Sequence, residues 1–151
     1  MYFAVKAEKN SRNAEENALD ARRAVEETNR KLSNIGALRD LASAVTRIDD
    51  LRGRIEHSAW DIAGERVSQL RAMMTAIVQS RTISLDEQHS DFAREFVVQM
   101  GLMSLEFDKA KMDDRAVRKV KWLQLLEDQK EGVIKLTTHL GDKFLEVGDA
   151  E

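Results

Sequence analysis

No proline interrupts the 151 residues of this chain, and that absence constrains its fold more than any other feature. Proline ends helices, sits at strand edges and sets turns, so a chain without it is free to run as long helices. Gly36, Gly53, Gly64, Gly101, Gly132, Gly141 and Gly148 are left as breakers. Charged residues make up 34% and hydrophobic residues 42%, enough of each for amphipathic helices and too apolar for a disordered tail. The expectation is an all-α protein with one domain's worth of chain.

The clearest periodicity runs from Ala4 to Ile35. Ala4, Ala7, Ser11, Ala14, Ala18, Ala21, Val25, Thr28, Leu32 and Ile35 alternate steps of three and four, the 3.5-residue period of a left-handed coiled coil. Small residues dominate this seam, so it buries little apolar area per residue at about 25 cal/mol per Å². Pairs such as Glu26 with Arg30 and Glu27 with Lys31 add only a few tenths of a kcal/mol each. A helix of this kind needs a partner. Residues 1–35 are therefore expected to form a long coiled-coil-like helix that makes the protein a homo-oligomer, with Ala14, Ala18, Ala21, Val25 and Leu32 as the seam.

Residues 37–147 read as a bundle of four to five helices, continuous with the first as a single structural unit. Ser33, Asn34 and Gly36 predict a break, with a helix from Ala37 to Glu56 on the stripe Leu38, Leu41, Val45, Ile48, Leu51 and Ile55. Ser58 with Asp61 predicts the cap of the next helix, whose stripe is Trp60, Ala63, Val67, Leu70, Met74 and Ile77. Ser84 with Glu87 predicts a capping box for another. In that helix Phe92, Phe96, Met100, Met103 and Phe107 form one face, and Val98, Leu102 and Leu105 a second, which places it at the centre of the core. A last helix from about Arg115 to Leu140 carries Trp122, Leu126, Gln129, Val133, Leu136 and Leu140, with Gly141 near its end.

Lysines and arginines total 24 against 27 aspartates and glutamates, a net charge of −3, which excludes a chain that coats nucleic acid. A local cation cluster stands out nonetheless: Lys109, Lys111, Arg115, Arg118, Lys119 and Lys121 beside Trp122. On one helix Arg115, Arg118, Lys119 and Trp122 share a face, offering guanidinium forks to a phosphate and an indole to a base. The competing reading makes Trp122 core and the cations its solvated flank.

Signs of catalysis are missing. The glycines stand singly, with no phosphate-binding loop and no nucleophile elbow. The absence of cysteine removes disulfides, thiolate chemistry and Cys-type zinc sites, and suits a reducing compartment. His57, His89 and His139 are far apart. His89 shares a helical face with Asp86, and His57 with Asp61, but two ligands do not make a site. The expectation is no metal, no cofactor and no enzymatic activity.

The apolar opening Tyr2-Phe3-Ala4-Val5 is cut short by Lys6, Glu8 and Lys9, far from a secretory signal core. Aromatics followed by Lys6, Lys9 and Arg12 match the cytoplasmic end of a membrane-spanning helix. The stretch from Ala14 to Met74, with Ile35-Gly36-Ala37-Leu38-Arg39-Asp40-Leu41-Ala42-Ser43-Ala44, Ser58-Ala59-Trp60-Asp61 and Leu70-Arg71-Ala72-Met73-Met74, resembles uncharacterised bacterial single-pass membrane proteins with a small helical cytosolic tail. That resemblance implies a membrane anchor upstream of Tyr2 and a cytoplasmic module at the inner membrane face; it implies no activity. The function expected is a non-enzymatic oligomerisation or interaction module. The alternative is a sensor whose basic patch binds a phosphorylated small molecule such as a cyclic nucleotide, as in membrane effectors of antiviral defence.

Overall fold

The computed structural model describes the backbone of residues 2–149 and the side chains of residues 5–115 and 117–145. Among the described residues there are four α-helices: α1 (Tyr2–Glu56), α2 (Trp60–Gln79), α3 (Glu87–Ala110) and α4 (Lys119–Asp149), with a short 3-10 turn at Asp114–Ala116. The predicted break at Gly36 does not occur, so the bundle has four helices and not five. A glycine inside a helix costs about 1 kcal/mol relative to alanine, and strong formers on both sides of Gly36 carry the helix through. No described glycine takes a positive φ.

Ser58, at φ 55°, is the one described non-glycine residue in the left-handed region. It does not cap α2 as predicted but closes α1. The Ser58 amide donates to the Ile55 carbonyl at 3.1 Å and the Ala59 amide to the Arg54 carbonyl at 2.9 Å, a Schellman pair with serine where glycine is usual. The N-cap of α2 is Ala59, without a side-chain bond. The capping box predicted at Ser84 and Glu87 is also replaced. Ile83 and Leu85 pack against the core, which keeps the chain irregular until Asp86 caps α3 by accepting from the His89 amide at 2.8 Å. The last helix starts at Lys119 and not at Arg115, because Asp113 caps the 3-10 turn first. It then continues past Gly141.

The chain divides into two compact units, residues 1–33 and 34–151. In the larger unit, each helix supplies a stripe with the same three-and-four spacing. Leu41, Ala44, Ile48, Leu51 and Ile55 come from α1, and Ala63, Val67, Leu70 and Met74 from α2. Phe96, Met100, Met103 and Phe107 come from α3, and Trp122, Leu126, Val133, Leu136 and Leu140 from α4. Burying a side chain of this size contributes roughly 1.5–3 kcal/mol. Val98, Leu102 and Leu105 are exposed, so α3 is one wall of the core and not its apolar-all-round centre.

Polar contacts give the helix directions. Asp50 meets Arg66 at 3.0 Å, and Lys130 meets Asp49 at 3.0 Å. The rings of Trp60 and Phe107 pack tilted at 35° with centroids 5.2 Å apart, and the Trp122 indole donates to Glu106 at 2.6 Å. Asp50 with Arg66, Trp60 with Phe107 and Glu106 with Trp122 each join the end of one helix to the start of another, so successive helices run antiparallel as in an up-and-down bundle.

The smaller unit is helical throughout its described length and has no core of its own. Every side chain from Val5 to Leu32 is exposed. Arg12 pairs with Glu8 at 3.0 Å and Lys31 with Glu27 at 3.7 Å, both four residues apart on the helix.

Candidate functional site

Three places bear on function, and the first is the seam on α1. Val25 and Leu32 are 59% and 62% exposed, and Ala14, Ala18 and Ala21 lie open between polar flanks. The side chain of Ala4, the first seam position, lies outside the described residues. The seam's register does not run on into the bundle: the buried positions of α1 begin at Ala37, only two residues after Ile35. The seam and the core stripe are thus separate features of one helix.

The second place is the end of the bundle where the 3-10 turn joins α3 to α4. Glu106, on α3, has a side chain only 11% exposed, yet its carboxylate accepts four hydrogen bonds from Arg118 and Trp122. The Arg118 amide and Nε donate to Oε1 at 3.1 and 3.2 Å, while Arg118 Nη2 and the Trp122 indole donate to Oε2 at 3.3 and 2.6 Å. Burial pushes the Glu106 carboxyl up, but the hydrogen bonds from Arg118 and Trp122 together outweigh it and hold the group below its ordinary range. Glu106 also raises the Arg118 guanidinium by hydrogen bonding and charge.

The predicted phosphate-binding set is spread around this end. Trp122 is 1% exposed and belongs to the core. Arg118 is occupied by Glu106, and its Cζ sits 5.8 Å from the Trp122 ring. Lys119 turns the other way, donating to Ser58 Oγ at 2.5 Å with its ammonium 5.6 Å from the ring of Trp60. The Trp60 indole donates to Asp114. Arg115 stands on the 3-10 turn, before the helix on which it was expected to share a face, and is exposed. Lys111 pairs with Asp61 at 3.3 Å and Asp108 at 3.6 Å. Between α3 and α4 an open groove of about 370 Å³ is lined by Leu102, Leu105, Lys109 and Lys121 around the Glu106, Arg118 and Trp122 contact.

The third place was only half visible in the sequence. Asp86 and His89 share a face at the start of α3, as expected, and the antiparallel run of α4 brings His139 against them. The spacing of Asp86 and His89 was readable from the chain, whereas the third member comes from tertiary topology alone. These are the described residues grouped so that they could hold a metal ion.

Comparison with protein family models, with curated proteins and with solved structures finds no match to this chain. Among the described residues no helix is long and apolar enough to cross a membrane.

Proposed function

We propose that this chain is a non-enzymatic interaction module that self-associates through residues 5–32 of α1. One observation carries the reading: a heptad seam with every described side chain exposed and no core of its own to bury it. A helix with so small a seam is marginal alone, and two such seams approach closely because little stands between their backbones.

Charge selects a second copy in antiparallel orientation. The positions flanking the seam on one side are Glu8, Glu15, Arg22 and Asn29, and on the other Asn10, Asn17, Ala24 and Lys31. Antiparallel helices in the register that sets Ala18 against Ala21 of its twin bring Glu15 of each copy to Arg22 of the other. Parallel pairing sets Asn10 near Glu15 and Asn17 near Arg22, with no opposite charges. The gain per exposed pair is only about 0.2–1 kcal/mol, so it decides orientation more than affinity.

With the antiparallel pair lying along the surface, so that both N-terminal runs meet it, a membrane-apposed, cytosol-facing placement fits the basic run Lys6, Lys9 and Arg12; the side chains of Tyr2 and Phe3, which also suggest it, lie outside the described residues. Sensing of a phosphorylated ligand has weaker support, since Glu106 already fills the anion position before Arg118.

Sedimentation equilibrium over a wide concentration range tests the reading. A dimer that becomes a monomer on replacing Ala14, Ala18 and Ala21 by glutamate supports it, and a concentration-independent monomer for the unmodified chain refutes it.

A further inference from the structure

We propose that Asp86, His89 and His139 form a binding site for a divalent transition-metal ion of the zinc class, joining the start of α3 to the second half of α4. A carboxylate oxygen and one ring nitrogen from each histidine lie within 4.8 Å of one another. The two imidazoles are stacked, centroids 4.0 Å apart and planes within 7°.

The polar atoms are left in a state that an ion would complete. His139 Nε2 is buried and has no hydrogen-bond partner, an arrangement that is costly for a polar nitrogen. It faces Asp86 Oδ2 at 3.9 Å, too far for a hydrogen bond. Both hydrogen bonds that Asp86 accepts fall on Oδ1, from the His89 amide at 2.8 Å and the His89 Nδ1 at 2.6 Å. Oδ2 and His139 Nε2 therefore confront each other with unused lone-pair capacity.

The donor set points to the class of ion. Two imidazoles with one carboxylate suit Zn²⁺ and its borderline neighbours, whereas Mg²⁺ and Ca²⁺ take oxygen donors. Glu87 and Asp91 line the adjoining surface groove with Asp86 and add negative potential, while Lys143, the nearby cation, donates to the Ser84 carbonyl at 2.6 Å. Zinc bonds of about 2.0–2.1 Å place tetrahedral donors roughly 3.3 Å apart. The widest separation must contract by up to about 1.5 Å, and one ring must turn out of the stack, because parallel rings cannot both aim lone pairs at a single ion. His139, with a side chain 28% exposed, has room to do so. Three protein ligands leave a fourth position for water.

Isothermal titration of the full chain with ZnCl₂, with MgCl₂ as the contrast, tests the site. The expected result is one zinc per chain, no magnesium binding and an unchanged mass in sedimentation. His89→Asn and His139→Asn should each weaken zinc binding at least about tenfold, and His57→Asn should leave it unchanged. Because a variant could fail to fold, imidazole ¹⁵N spectra of the unmodified chain give an independent reading: zinc should shift ring nitrogens of both His89 and His139 and none of His57. Absence of zinc binding, a shift at only one of the two histidines, or half an ion per chain with association would each overturn the proposal.

Discussion

The ring of Phe92 on α3 lies against Gly132 on α4 so closely that a methyl group built on Gly132 would fall within 3.0 Å of three ring carbons. This glycine serves no turn. It makes room for an aromatic one turn beyond His89, and so sets how near α3 comes to α4 at the end where the histidines meet.

Gly132→Ala is expected to destabilise the protein by about 1 kcal/mol, although alanine in a helix is intrinsically better by a similar amount. The added methyl forces the half-buried Phe92 ring aside, an overpacking that costs roughly 1–3 kcal/mol. Phe92→Leu should remove much of the conflict, so urea denaturation of both single variants and the double variant should reveal a favourable coupling. A simple gain in stability for Gly132→Ala would mean the ring moves freely.

Glu106 makes stability depend on acid. Its carboxyl is held below the ordinary value of 4.5 in the folded state, so its contribution is fully present above that value and is lost as pH falls through the lower, folded one. Glu106→Gln should reduce stability at neutral pH by about 1–3 kcal/mol, the range for a hydrogen bond to a charged group and its orphaned partners. Arg118 is 63% exposed, which favours the lower end through solvent screening. Denaturation midpoints of the variant and unmodified chain should converge in acid; a constant gap would assign the loss to packing.

Orientation of the proposed dimer is open to direct chemistry because the chain has no cysteine. In the antiparallel register, Ser11 of one copy lies opposite Thr28 of the other. An equal mixture of Ser11→Cys and Thr28→Cys chains should form a mixed disulfide under mild oxidation, and neither alone should link efficiently. Efficient self-linking of Ser11→Cys would establish parallel pairing.

The all-helical class, the presence of a long first helix and the core stripes were legible because an alternating three-and-four spacing needs only the sequence. Phe96 and Trp60 are buried as their periodicity predicts. The helix ends were less legible, since Ser58, Ser84 and Gly36 were each assigned by residue preference while the actual ends depend on φ at Ser58 and on what Leu85 packs against. The basic cluster was visible as composition, but Glu106, which occupies Arg118, lies on another helix at no recognisable spacing. His139 was hidden for the same reason.

Gln129 provides the last test. It occupies a stripe position between Leu126 and Val133, is 7% exposed, and its Oε1 is buried without a hydrogen-bond partner. A buried amide oxygen left unpaired costs about 1–3 kcal/mol, so Gln129→Leu, similar in volume, should raise the denaturation midpoint by a comparable stabilisation. The polar residue limits how the helices can slide, because every shifted register buries the amide against a new apolar neighbour, as single polar core positions do in coiled coils. Gln129→Leu should therefore also broaden the population of packed states, seen as weaker side-chain dispersion in NMR despite the higher midpoint. A lower midpoint would mean that Oε1 is satisfied in solution and that the amide contributes net stability.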